Sequence, residues 1–255
     1  MILMFVVESN PTSVPAIQQA IVSRLLQLAD PDVARTAQKF FPEKIVCFGI
    51  RAADLRALSR EIYDLVKPAW KIDQALDLAG GLLARPELEA RSCGLLILSR
   101  FHSELNQARL DRIRSWLRKG HLDNWALIDT LSLEVLGPFF RKNPGQLKIL
   151  EKWAGDRNLY LRRAALVTLV KLSRDRKILG FIFKMVCIAV PVEKSDDLVA
   201  KAAGWLLREA GKTDGHSLEK FLLRYGKKLP RITVRYALEK FGPGRKAYFM
   251  KITKA

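Results

Sequence analysis

Three histidines and three cysteines are too few, and too scattered, for the chemistry those residues usually carry. His102, His121 and His216 show no metal-ligand spacing, and neither do Cys47, Cys93 and Cys187, so no metal site is expected. An odd number of widely separated thiols does not make a disulfide framework; it suits a reducing cytoplasm. There is no glycine-rich phosphate loop and no Ser/His/Asp series, which removes the common nucleotide-binding and hydrolase motifs, and no cofactor is expected. Long apolar runs are missing as well. Met1 to Val7 is apolar but lacks a basic start and stops at Glu8, a poor match to a signal peptide. Phe181 to Val190 is about half of what crosses a bilayer, so no membrane segment is expected. Alternating strand patterns do not appear either.

Negative charge is also in short supply. Lys and Arg total 44 against 26 for Asp and Glu, a formal net charge of +18. That excess is far beyond what solubility needs and calls for a polyanionic partner. Nucleic acid fits best, because many Lys and Arg side chains on phosphates supply sequence-independent affinity. An acidic membrane surface or a ribosomal role would satisfy the same charge.

What the chain does have is helical rhythm. After a frayed N-terminal segment, 1–15, apolar residues recur at Ile17, Ile21, Leu25 and Leu28, predicting a helix from Ala16 to Ala29. Asp30 followed by Pro31 is a helix start, and Val33 to Phe41 reads as a second helix stopped by Pro42. Cys47 to Ile50 is a loop that opens a third helix carrying Leu55, Leu58, Ile62, Leu65 and Val66 on one face. Asp73 to Leu83, Pro86 to Phe101 and Leu105 to Leu117 keep the same beat. Beyond Phe241, residues 242–255 read as a basic C-terminal tail with a short terminal helix.

Laying the small-residue helices over one another exposes a repeat. Glu89-Ala-Arg-Ser-Cys-Gly94, Leu161-Arg-Arg-Ala-Ala-Leu166, Val199-Ala-Lys-Ala-Ala-Gly204 and Thr233-Val-Arg-Tyr-Ala-Leu238 each place a cation before mostly small residues. The cations Arg91, Arg163, Lys201 and Arg235 stand 72, 38 and 34 residues apart, a period near 36 with one unit skipped. All-helical repeats of this length, with Ala and Gly at close crossings, predict an all-α fold: a single HEAT-like helical repeat domain over 16–241, an α-solenoid. In-register cations would give it a concave basic face. With Leu161, Ala165, Leu169 and Leu172 as the buried stripe, Arg163 points away from the core and is free to meet a ligand. Arg162 sits at the border, where pairing with Asp156 is an equal option.

The skipped unit falls on Asn124-Trp-Ala-Leu-Ile-Asp129, which sets Trp125 and Asp129 on one helical face, beside the apolar stripe of Leu127, Ile128, Leu131 and Val135. By itself this is a capped helix with a partly buried anchor and a solvated charge. Inside a basic superhelix, one reaction needs little more than one carboxylate and one indole. A purine alkylated at a ring nitrogen is cationic and leaves without a general acid. The enzyme has mainly to stabilise oxocarbenium character at C1′, which Asp129 can do by charge or by placing a water. The face of Trp125 would attract the cation, a contact worth roughly 0.5 to 2 kcal/mol.

Four pieces in register, Phe48-Gly-Ile-Arg-Ala-Ala-Asp-Leu-Arg56, Asn124-Trp-Ala-Leu-Ile-Asp129, Leu161-Arg-Arg-Ala-Ala165 and Lys201-Ala-Ala-Gly-Trp-Leu-Leu-Arg-Glu209, resemble the AlkD-like DNA alkylation repair glycosylases from about Ile17 to Phe241. The resemblance implies a monofunctional glycosylase that removes cationic N3- or N7-alkylated purines from double-stranded DNA and leaves an abasic site. It implies Asp129 as the catalytic carboxylate, Trp125 as one aromatic wall and Trp205 as the second. Arg163 would grip the backbone near the lesion, with Arg162, Lys201, Arg91 and Arg235 as further contacts. Phe40 stands where the family commonly has Tyr, and Ala126 replaces an acidic residue often found after the motif Trp. Trp205 lines up with Leu198, Ala202 and Leu206, a spacing that suits a core residue equally well. Two other readings fit the same features: a non-catalytic solenoid that binds branched or distorted DNA, and a scaffold whose basic face meets an acidic protein. A cytoplasmic monomer, nucleoid-associated in a prokaryote, is expected.

Overall fold

A computed structural model of the protein describes residues 12–191 and 196–254, and among these the regular elements are all helical. Backbone pairing of the strand type is confined, among the described residues, to one isolated parallel bridge between Val46 and Glu87. The fold is an all-α helical repeat. No helix among the described residues is long and apolar enough to cross a membrane. Across the span read from sequence as one repeat domain, the helices gather into two compact units, Met1–Val135 and Leu136–Ala255.

The first unit contains α1 (Val14–Gln27), α2 (Pro31–Gln38), α3 (Ala52–Val66), α4 (Ile72–Leu83), α5 (Leu88–Leu98), α6 (Gln107–Arg118) and α7 (Trp125–Thr130). Its core is α5, which packs on α1, α3, α4 and α7 through buried Ala90, Cys93, Leu95, Ile97 and Leu98. One layer holds α1, α4 and α6, the last two tied by Arg109 to Asp73 and Arg112 to Asp77, each at 2.7 Å. The other holds α3, α5 and α7. Burial pushes the Cys93 thiol, 3.4 Å from the Ser59 hydroxyl, up to about 12, so it stays protonated and inert.

Caps explain where these helices start. Ser13 accepts from the Ala16 N–H, so α1 begins at Val14; residues 1–11 of the expected N-terminal segment lie outside the described residues. Asp30 accepts from the N–H groups of Asp32 (2.9 Å) and Val33 (3.2 Å) with Pro31 in the first turn, as its sequence predicts. The second helix ends at Gln38 rather than Phe41 because the Gln38 amide turns the chain. Its Nε2 donates to the carbonyls of Phe41 and Glu43, and its Oε1 accepts from the Ile45 N–H.

The second unit contains α8 (Gly137–Lys142), α9 (Lys148–Ala154), α10 (Leu159–Val170), α11 (Leu179–Ala189), α12 (Asp197–Thr213), α13 (Gly215–Tyr225), α14 (Arg231–Ala237) and α15 (Pro243–Ile252). Helices α10, α12 and α14 pack in succession as one layer. The other layer is α9 on α11, then α13, joined where Phe183 stacks on Phe221 at 4.7 Å. The segments starting at Leu161, Val199 and Thr233 thus occupy equivalent helices, as their register requires. The short terminal helix expected in the basic C-terminal segment is α15, which seats Phe249 at 1% exposure.

Small residues make the α12–α14 crossing possible. A Cβ added at Gly204 would lie 2.4 Å from the Tyr236 Cβ and 2.7 Å from the Thr233 carbonyl, and the Thr233 hydroxyl donates to the Ala200 carbonyl at 2.9 Å. Gly180, near the start of α11, faces open space. The same substitution should therefore have opposite signs. Gly204→Ala is expected to cost roughly 1–3 kcal/mol by overpacking, and Gly180→Ala to be neutral or to stabilise by up to about 1 kcal/mol. Urea unfolding of the two variants measures both.

Candidate functional site

The start of α7 is fixed by a relay of polar side chains. Arg91 on α5, only 7% exposed, donates to the His121 carbonyl (2.5 Å) and to Asp123 (2.9 Å). The same Asp123 oxygen accepts from the Asn124 amide (3.1 Å), whose own oxygen caps α7 by accepting from the Leu127 N–H (3.1 Å). Leu127 and Ile128 are fully buried against the unit's core, which leaves Trp125 and Asp129 half-buried on the same helix, one turn apart.

Trp125 is held from two sides. Its indole N–H donates to the Phe40 carbonyl at 3.3 Å, and its ring stacks on Phe41 with centroids 5.2 Å apart and planes 20° from parallel. The turn organised by Gln38 is thus the mount of the indole. Phe40 itself has a 68% exposed side chain and serves Trp125 only through its backbone carbonyl. The missing phenolic hydroxyl is therefore not what holds Trp125. Phe41, the contact that matters, was invisible in sequence because its partner lies more than eighty residues away.

Directly after Asp129 and Thr130 the helix widens into a π-helical turn, Leu131–Leu136. Pro138 gives the physical reason: it has no N–H to offer the carbonyl four residues back, and its ring crowds that carbonyl. Arg56, the last residue of the Phe48-Gly-Ile-Arg piece, approaches Glu134 on this turn at 3.8 Å.

That piece is a clasp. Glu89, 6% exposed on α5, accepts from three successive backbone N–H groups: Phe48 (2.9 Å), Gly49 (2.9 Å) and Ile50 (3.2 Å). The Phe48 carbonyl accepts from the Asp30 N–H. Gly49 has φ +80°, and a Cβ there would come within 2.0 Å of the Asp30 carbonyl oxygen, so only glycine fits. Burial first, and the Glu89 charge second, push the neighbouring Cys47 thiol up.

In the second unit the in-register cations divide into two kinds. Arg163 is 6% exposed and donates to the Leu198 carbonyl at 2.7 Å, bracing α10 against α12. The expectation that it is turned to solvent is not met, because α10 is covered on more than one face: Ala164, Leu166 and Val167 are as buried as Leu161, Ala165 and Leu169. Arg162 is half-buried and donates to the Ala189 carbonyl at 3.3 Å. Lys201 and Arg235 are exposed, the first 3.9 Å from Asp197 and the second over the Tyr236 ring. Arg91, in the first unit, belongs with Arg163 as a buried brace. Trp205 is half-buried on α12. A cavity of about 820 Å³ in the second unit, lined by Phe140, Arg141, Lys171, Arg174 and Lys212 among others, includes none of these candidate residues. Among the described residues no group of three or more His, Cys, Asp or Glu side chains is placed to hold a metal ion.

Residues 21–241 match the family of the DNA alkylation repair enzyme. Among solved structures the chain is similar to a protein titled "Predicted DNA alkylation repair enzyme from Enterococcus faecalis". The two are 16% identical with a TM-score of 0.73, over 84% of this chain and 97% of that one, a likeness of fold. No curated protein matches the sequence.

Proposed function

The chain belongs to the DNA alkylation repair enzyme family, and on that footing we propose that it is a monofunctional glycosylase that hydrolyses the N-glycosidic bond of cationic N3- or N7-alkylated purines in duplex DNA. The observation that carries the reading is the pair Trp125 and Asp129: half-buried on one face of α7, with the indole fixed by the Phe40 carbonyl and the Phe41 ring.

In the proposed reaction the C1′–N bond breaks and its electron pair passes to the base, which leaves neutral. The Asp129 carboxylate stabilises the positive charge that grows on C1′, and a water adds there while its proton passes to the carboxylate or on to solvent. Trp125 offers a rigid aromatic face to the cationic base or sugar. No amine nucleophile is invoked, so the product is an intact strand carrying an abasic site.

The test is incubation of purified protein with methylated duplex DNA. The expected result is release of free N3- or N7-methylpurine, with strand breaks appearing only after heat or alkali. DNA binding without any base release would overturn the catalytic reading in favour of a binding-only protein.

A further inference from the structure

The charge of this chain is not evenly spread. Residues 215–254 carry eleven Lys and Arg against two carboxylates, Glu219 and Glu239. Both carboxylates are already engaged, Glu219 with Arg245 and Glu239 with Arg208 and Lys240.

The packing gathers five of the cations at one pole of the second unit. Glu219 in α13 faces Arg245 in α15, and further along Gly226 abuts Thr253, where an added Cβ would sit 2.3 Å from the Thr253 Cγ2. The two helices therefore run side by side in the same direction and end together. Arg231, the first residue of α14, comes to the same place: its guanidinium donates to the buried Thr253 hydroxyl at 3.3 Å. Lys227 and Lys228 follow Gly226 directly, and Lys251 and Lys254 lie within two residues of Thr253; with Arg231 all five are exposed, and among the described residues none of them forms an ion pair with a carboxylate.

Cations at helix C-termini are favourable in themselves, and α13 and α15 both end here. That accounts for one or two of them. It does not account for five, which repel one another within about a Debye length, nor for Arg231, which stands at the positive end of its own helix. A cluster of that kind is stabilised by a polyanion laid across it.

We propose that this pole is a second DNA contact, binding the phosphodiester backbone without regard to sequence or damage, and separate from the residues proposed to act on the lesion. The choice of DNA as the polyanion rests on the repair reading above. Each phosphate neutralised contributes about 0.9 to the slope of log affinity against log salt.

The experiment measures binding of an undamaged duplex of about 25 base pairs across a salt series, a length chosen to exceed one patch's reach along the backbone. The probe protein is the full chain carrying Lys227→Ala, Lys228→Ala, Lys251→Ala and Lys254→Ala. The slope is expected to fall by about 3 to 4, with affinity at moderate salt at least about tenfold weaker. A control with equal charge loss, Lys44→Ala, Arg60→Ala, Lys119→Ala and Lys148→Ala, is expected to lower the slope by less than about half as much. An unchanged slope in the first variant, an equal fall in the control, or a loss confined to binding of anionic phospholipid vesicles would each overturn the proposal. Base release from methylated DNA is followed in parallel. If the wild type releases none while the slope still falls, the glycosylase reading fails and the contact stands; release with an unchanged slope has the reverse meaning.

Discussion

Asp129→Asn is expected to lower the single-turnover rate of base release from methylated DNA by on the order of 10²–10³-fold, while binding of undamaged duplex stays within about threefold of wild type. The substitution keeps the shape of the side chain and removes its charge, and with the charge its basicity toward the adding water, the two properties the proposed reaction asks of it. Growing charge on C1′ is then met by an amide dipole in place of a carboxylate, a loss of roughly 3–4 kcal/mol in the transition state. Little of this should appear in ground-state binding, because the substrate sugar carries no such charge before the bond stretches. The fold should survive the change: α7 is placed by the Asn124 cap, the Arg91–Asp123 relay and the buried Leu127 and Ile128. Unchanged base release by a folded Asp129→Asn protein would remove Asp129 from the mechanism.

How much of this was legible in the chain differs by residue. The repeat register predicted that the segments at Leu161, Val199 and Thr233 occupy equivalent helices, and they fall on α10, α12 and α14. Asp30–Pro31 and Asn124 announced their helix starts because a cap is a local interaction. Arg163 departs from its periodic pattern for an equally physical reason. Periodicity identifies one apolar face and leaves the opposite face to solvent. A helix inside a stacked array is covered on several sides, and Ala164 on the same helix as Arg163 lets a neighbour approach there. The mount of Trp125 was out of reach because it is built from a backbone carbonyl and a ring on a distant turn, neither of which leaves a periodic trace. In the C-terminal segment composition shows the lysines and not the packing of Phe249.

The second large effect concerns Glu89, which the sequence offers only as one acidic residue before an arginine. Glu89→Ala is expected to destabilise the protein by about 3–5 kcal/mol, because it strips the partner from three backbone N–H groups at once and empties the space the side chain filled. For a chain of this size that is a fall in melting temperature on the order of 10 °C. Glu89→Gln separates charge from space. Its carbonyl oxygen can still serve Gly49 and Ile50, but its NH₂ would then point at the Phe48 N–H, donor against donor, so roughly half of the loss should remain. The effect should reach the candidate site. Glu89 anchors Phe48, Gly49 and Ile50; the chain just before them is pinned by the Val46 carbonyl, which accepts from the Leu88 N–H, and the turn before that presents Phe40 and Phe41 to Trp125. Releasing the clasp loosens that mount, so Glu89→Ala should slow base release several-fold at a temperature where the protein remains folded, with Trp fluorescence shifting to the red as the indole loses the Phe41 face. A variant that loses stability but keeps wild-type release and fluorescence would show that the clasp serves the fold alone.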